Sequence, residues 1–419
     1  MGSQAEIKAE YATRLMHVAL QVAAAAPSDR QQRILARYVL LEADSAARWL
    51  GQWQEDLADS TATRDVARAA KRSLRTFRRE YAKQKEIRDR LVARRQAAES
   101  GRAADLRRTV ELWRRMTRIG AERLCKCARA ACIALGSTAD LAAAVDPARL
   151  DQVRVALLKT RLDPDAVYTD ATSYAIGEQN LLAATVTGPL GRRVAQINDV
   201  HDQLDLLFGL HELAEEVDLV GLLLRSALVV EIDTIIDRTI GPPPGVPRNR
   251  RDGVPLISLL DRGRGETGFD LLSQFRDEVV PVPSRVNLRD LRNRVAAHLD
   301  TQLTLGEICD TLEDLDVAAL FRFADVTLDW LDAVARSHVD LGLLVIGHRQ
   351  LSSLQPTGAS VRAPFKAAQV VDILDSPFGS IVGGGFGARG TGGMMGVVSG
   401  RARRPRVSWL SGSTEGLSA

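Results

Sequence analysis

Apolar residues recur three and four positions apart along most of this 419-residue chain, the spacing of one buried helix face. Residues 1 to about 60 read as two helices broken near Ala26-Pro27-Ser28-Asp29, and Ser28 or Asp29 can cap the second. That second helix runs through Ile34, Leu35, Tyr38, Leu41, Ala46 and Leu50; it carries Glu42 and Asp44, with Trp49 and Trp53 further on. A long helix from residue 64 to about 92 keeps Leu74, Phe77 and Tyr81 in register, and another at about 104–119 holds Val110, Leu112, Trp113 and Met116. None of this reads as strand.

Residues 120–200 join two halves. Cys125, Cys127 and Cys132 share an Ala-rich helix ending near Gly136, and between residues 163 and 189 the pattern loosens into loops or a short hairpin. Amphipathic helices resume at about 194–210 and 212–236, the second holding Glu231 and Asp233 among leucines, valines and isoleucines. Two carboxylates in so apolar a helix need cationic partners, and Arg292 or Arg294 are the natural ones. Thr304-Leu305-Gly306-Glu307 has the form of a capping box opening the closing helices through Leu315, Phe323, Trp330 and Val334. After about Gly347 helical order fades. Gly385 to Gly390 spells Gly-x-Gly-x-x-Gly, but no helix follows and no phosphate-loop lysine is present, so a disordered tail is expected there.

One short stretch stands apart: Leu291-Arg292-Asn293-Arg294-Val295-Ala296-Ala297-His298-Leu299-Asp300. Pro281 and Pro283 are expected to delay its helix, with Asn287 as the N-cap. Leu288, Leu291, Val295 and Leu299 then form an apolar seam. At ~100° per residue Arg292 falls on one edge of that seam and His298 on the other. A permanent cation and a titratable imidazole flanking an apolar seam suit a site built across a helix–helix interface. The plain alternative is a surface helix with a half-exposed histidine.

Arg-Asn-x4-His resembles the signature of the HEPN superfamily, all-helical domains of which many are metal-independent ribonucleases acting as dimers; the run Arg292–Asp300 is similar to a subgroup found in phage-defence and toxin systems. The resemblance implies Arg292, Asn293 and His298 as catalytic residues, supported by Glu231 and Asp233. An internal repeat accompanies it. Ile87-Arg88-Asp89-Arg90-Leu91-Val92-Ala93-Arg94 lines up with Leu291–His298, and Glu42-Ala43-Asp44 with Glu231-Ile232-Asp233. The first copy has Arg94 where the second has His298, and Arg does not deprotonate, so that copy is expected to be degenerate. The expected fold is thus all-α: helical bundles in tandem, with a HEPN-like four- or five-helix C-terminal domain. The expected divisions are 1–120, a connector at 121–190, the HEPN-like domain at 191–346 and the tail at 347–419.

Charge sharpens the picture. The net charge is only +3, yet residues 64–118 hold 19 Lys or Arg against 7 Asp or Glu, leaving −9 for the remainder. Such an excess attracts polyanions. Arg248, Arg250 and Arg251 in a Pro-rich loop, with Arg294, Arg88, Arg90 and Arg94, are the candidate contacts to an RNA backbone. No apolar run is long enough to span a membrane, and Glu6, Lys8 and Glu10 are not the order of a signal peptide. Four cysteines then indicate a reducing, cytoplasmic setting without disulfides. The Cys-x-Cys-x4-Cys spacing of Cys125, Cys127 and Cys132 lacks a second ligand pair, so small buried cysteines are expected rather than zinc.

RNA supplies its own nucleophile, the 2′-OH. Cleavage without metal therefore needs a proton acceptor, a proton donor and a cation for the phosphate. His298 can take or give the proton, Arg292 offers planar donors to the phosphorane-like transition state, and Asn293 orients either. A 2′,3′-cyclic phosphate and a 5′-OH are the expected ends, with no cofactor and no metal. One histidine per chain favours a homodimer over an intramolecular pairing with Arg88–Arg94, and an antitoxin or defence-system partner is a further expectation. The alternative is a non-catalytic helical module that binds nucleic acid or protein.

Overall fold

The computed structural model describes residues 3–58, 64–87, 118–142, 145–160, 203–245, 254–260, 267–296 and 299–337, with Arg193, Ile197 and Val200. The described chain is all-α, and no helix in it is long and apolar enough to cross a membrane. Helix α1 (Gln4–Ala25) opens with a capping box, in which Ser3 Oγ accepts from Glu6 N–H at 3.1 Å and Glu6 accepts from Ser3 N–H at 3.2 Å. Pro27 ends it, and α2 (Asp29–Ala58) starts under a Ser28 cap, with Gln31 N–H donating to Ser28 Oγ at 3.3 Å. The short link makes a helical hairpin whose inner faces bury Tyr11, Leu15, Met16, Ile34, Tyr38 and Leu41.

Helix α3 (Arg64–Ile87) buries Ala70, Leu74, Phe77 and Tyr81 and turns its cations outward. It packs on α4 (Arg118–Ala134), which ends as its glycine suggests: Gly136 has φ 106°, Ser137 N–H donates to Cys132 O and Gly136 N–H to Ile133 O, both at 3.0 Å. Helix α5 (Pro147–Lys159) follows.

Residues 203–209 are helical, then α6 (His211–Glu215) and α7 (Leu219–Thr239) divide what the pattern predicts as one helix over 212–236. The division has two local causes. Asp218 caps α7, accepting from Gly221 N–H at 2.6 Å. The chain also folds back so tightly that a Cβ on Gly221 would lie 1.9 Å from the Glu216 carbonyl oxygen. Helix α7 is buried on nearly every side and is the axis of the second half. Next come α8 (Thr267–Gln274) with a π turn at Phe275–Val279, α9 (Val282–Leu291) with a π turn at Arg292–Ala296, α10 (Leu305–Glu313) and α11 (Val317–Ser337); the last three lie against α7, and α8 packs on α11. Helix α9 begins at Val282, not after Asn287. Pro283 occupies its first turn, where the missing N–H has no intrahelical partner to lose.

One continuous apolar core runs from α1 to α11. Helix α1 touches α7 and α10 as well as its own hairpin partner, so the first half lies directly against the axis of the second.

Candidate functional site

The seam predicted on the motif helix is buried as Leu288, Leu291, Val295 and Leu299. The helix widens into its π turn at Arg292, where the motif begins; such turns are often found where a side chain has to be re-aimed. Facing it along α7 are Asp233 and Asp237, one turn apart.

Three arginines on α9 and its π turn, at 285, 289 and 292, share one face and form a ladder against α7. Arg292 Nε lies 3.3 Å from Asp233 Oδ2, and Arg289 Nε 3.2 Å from Asp233 Oδ1. Arg289 Nη2 also reaches Asp237 Oδ1 at 2.9 Å. Arg285 Nη1 makes long contacts to the carbonyls of Gly241 and Pro242, at 3.4 and 3.5 Å, where α7 ends. The side chains of Arg292 and Arg289 are only 12% and 16% exposed. Burial raises the Asp233 carboxyl, and the Arg289 and Arg292 charges oppose that rise. Arg292 Nη1 donates to the Oδ1 of exposed Asn293 at 3.1 Å, so the guanidinium runs from a buried carboxylate to the surface.

Of the two partners expected for Asp233, Arg292 is present and Arg294 is not. Arg294 Nε instead donates to Asp300 Oδ2 at 2.8 Å, six residues on. Arg289, absent from the sequence-based expectation, takes the other oxygen. The spacing of Arg285, Arg289 and Arg292 against Asp233 and Asp237 was the signal for it. Glu231 is buried on the same helix.

The far end of the motif is gripped by the first half of the chain. Lys8 of α1, wholly buried, donates a short hydrogen bond to the Asp300 carbonyl, and its ammonium sits 4.2 Å from the centre of the Trp49 ring. Trp49 of α2 donates from Nε1 to the Leu299 carbonyl at 3.2 Å. Burial lowers the Lys8 pKa, and Asp300 and Glu307 oppose that drop. Asp300 N–H also closes back on the Arg294 carbonyl at 3.0 Å. Trp49→Phe keeps a ring beneath Lys8 but orphans a buried carbonyl. It is expected to destabilise by about 1–3 kcal/mol, read as a lower urea midpoint; an unchanged midpoint would show that the bond contributes nothing.

His298 itself lies outside the described residues, as do Arg248, Arg250, Arg251, Arg88, Arg90 and Arg94. Within them, Glu42 and Asp44 on α2 mirror Glu231 and Asp233. Glu42 is buried like Glu231, while Asp44 accepts from the Tyr81 hydroxyl at 2.5 Å where Asp233 takes arginines. A cavity of about 570 Å³ opens beside Arg285, bounded by Pro243, Arg276, Asp277 and Val282. Its two guanidiniums outnumber its one carboxylate, and Arg285 is seven residues, or ~10 Å of helix, from Arg292.

The described histidines and the cysteines of α4 make their contacts within the fold. His211 Nδ1 contacts the Phe208 carbonyl at 3.0 Å and its ring meets Phe321 edge-on. His17 has its pKa lowered by burial and by Arg129. Burial pushes the thiols of Cys125 and Cys132 up to about 12 and raises Cys127; Cys125 and Cys132 pack under α1, against the Met16 carbonyl and the Thr13 hydroxyl. Among the described residues no three His, Cys, Asp or Glu side chains gather where a metal ion could be held.

Fold and site together define an all-helical protein with an arginine ladder leading into the Arg-Asn-x4-His segment. Compared with protein-family models, curated proteins and solved structures, the chain matches none of them.

Proposed function

We propose that this protein is an endoribonuclease of the HEPN type, cleaving RNA without a metal and serving in a toxin or anti-phage defence setting. The observation that carries the reading is the placement of Arg292. Asp233 holds its Nε side from beneath, and its Nη1 reaches the surface beside Asn293 at the head of the motif. A guanidinium anchored in this way is pre-organised toward a phosphate and needs little reordering when charge develops. Its tail is equally fixed, because Trp49 and Lys8 hold the two carbonyls that follow His298.

In the reaction the 2′-oxygen attacks phosphorus as its proton passes to a base. The P–O5′ bond breaks as the 5′-oxygen receives a proton, leaving a 2′,3′-cyclic phosphate and a 5′-OH. His298 serves as base or acid. Because each chain carries one motif histidine, the second imidazole comes from another copy, in a homodimer meeting on the exposed Asn293 edge. An antitoxin or other defence-system partner would restrain the activity. A second reading, a non-catalytic module that binds nucleic acid, is favoured by the enclosure of Arg292 and its engagement with Asp233.

The two readings separate on cleavage of RNA by the purified protein in EDTA. Cleavage should persist, leave cyclic phosphate ends and fall at least ~100-fold in His298→Ala. Folded protein that binds RNA and cleaves none would establish the binding module, and cleavage indifferent to His298 would sink the proposed site.

A further inference from the structure

The outer surface of the first half carries the strongest charge asymmetry in the described chain, and neither the motif nor the ladder uses it. Helix α3 has nine Lys or Arg against three acids, and α4 has four against one. The periodicity that buries Ala70, Leu74, Phe77 and Tyr81 forces the cations to the other side. Lys71, Arg75 and Arg79 climb α3 one turn at a time, ~6 Å per step, with Arg72 beside Lys71, and all four are exposed. On α4, Arg123 and Lys126 are cationic as well, and Lys126 is exposed. The two rows adjoin: Glu80 of α3, hydrogen-bonded to Lys83 at 2.6 Å, feels the charges of both Arg123 and Arg79. The sequence joining the two helices, 88–117, adds nine arginines against four acids, so it brings no net negative charge to quench the face.

We propose that the outer faces of α3 and α4 form one platform that binds RNA through its phosphates, independently of base sequence. The choice of RNA rests on the nuclease reading above, whereas the platform itself rests on charge and geometry. Between the cations of α3 the exposed residues are alanines, with half-exposed Ser73, Thr76 and Gln84. No aromatic or large aliphatic anchor of the kind that centres a protein–protein interface lies among them, and the exposed aliphatics of α4, Ile119 and Ile133, stand at the two ends of that helix, outside the stretch that holds Arg123 and Lys126. Nor can α3 lie in a lipid surface, since its apolar side is already buried under α2 and α4. What remains is a row of point charges matched to a regularly charged strand. Such a row binds by releasing counterions and supplies affinity without sequence readout.

The test is fluorescence anisotropy with a labelled 2′-O-methyl 20-mer, which lacks the attacking hydroxyl and stays intact. Wild type is set beside the quadruple variant Lys71→Gln, Arg72→Gln, Arg75→Gln, Lys126→Gln, between 50 and 300 mM salt. All four side chains are exposed, so helical circular dichroism should be unchanged. The variant should bind at least tenfold more weakly, and the slope of log affinity against log salt should be shallower by about 3, at ~0.7 for each phosphate no longer neutralised. An unchanged affinity and slope would overturn the platform. So would equally tight, variant-sensitive binding of labelled polyglutamate or of anionic phosphatidylserine vesicles, because the partner would then be an acidic protein or a membrane. Cleavage of an unmodified trinucleotide, too short to cover the platform, is followed in parallel. If the variant loses 20-mer binding and keeps trinucleotide cleavage, the platform and the nuclease are both supported. If wild type cleaves nothing while 20-mer binding still depends on the four cations, the platform stands and only the nuclease reading fails.

Discussion

Asp233→Ala is expected to destabilise the protein by about 3–5 kcal/mol, enough to bring many domains close to unfolding at room temperature. The carboxylate stands between Arg289 at 3.2 Å and Arg292 at 3.3 Å, both largely enclosed. Its removal takes this carboxylate from two desolvated guanidiniums, while Asp237 on the same helix stays 2.9 Å from Arg289. Urea unfolding of wild type and variant measures the loss, and a difference below about 1 kcal/mol would show that water or rearrangement satisfies the arginines. A companion variant asks why the pair exists at all. Asp233→Leu with Arg292→Met replaces one ionic contact by apolar contact of similar volume and should recover much of the stability. If it does so while abolishing the RNA cleavage proposed for wild type, the Arg292–Asp233 pair serves the site more than the fold.

The parts of this architecture that follow from local rules are legible in the sequence. Ser28 caps α2, Thr304 and Glu307 cap α10, Gly136 ends α4, and the seam Leu288–Leu291–Val295–Leu299 is buried, because each depends on residues within a few turns of one another. Asp233 meeting Arg292 is legible for a different reason: an apolar helix has few ways to carry a carboxylate. The misreadings are also physical. Asn287 resembles a helix start only if Pro283 is treated as a barrier, whereas a first turn accepts proline. The break before α7 depends on a glycine whose need is a close approach to the Glu216 carbonyl, not a propensity. Lys8 and Trp49 were the least accessible of all. They act on Asp300 and Leu299 from 292 and 250 residues away, and nothing near them in the sequence announces it. Lys8, one of the terminal charges that argued against a signal peptide, is wholly buried.

The same junction carries the second large expectation, a stability that declines from mildly acid to mildly alkaline pH. Glu42 of α2 is 3% exposed, and burial pushes its carboxyl from an ordinary 4.5 up to about 8. Tyr11 of α1, whose hydroxyl burial also raises, feels the charge of Glu42 together with those of Cys309 and Glu313 of α10. Between pH 4.5 and 8 the folded chain therefore keeps a proton that the unfolded chain has released. The stabilisation is complete below about 4.5 and is lost as pH rises through about 8. At about 1.4 kcal/mol per pH unit the whole swing approaches 5 kcal/mol. Glu42→Gln has nearly the shape of the protonated acid and cannot ionise. It should match wild type at pH 5, exceed it by several kcal/mol at pH 9, and flatten the dependence between them. Other buried groups with shifted pKa values, Asp233 raised and Lys8 lowered by burial, are common to both proteins, so the difference between the two curves isolates Glu42. Parallel curves from pH 5 to 9 would mean that the carboxylate is accommodated charged. A flattened curve would place a titrating group at the contact of α1, α2 and α10, where Lys8 of α1 and Trp49 of α2 hold the end of the motif.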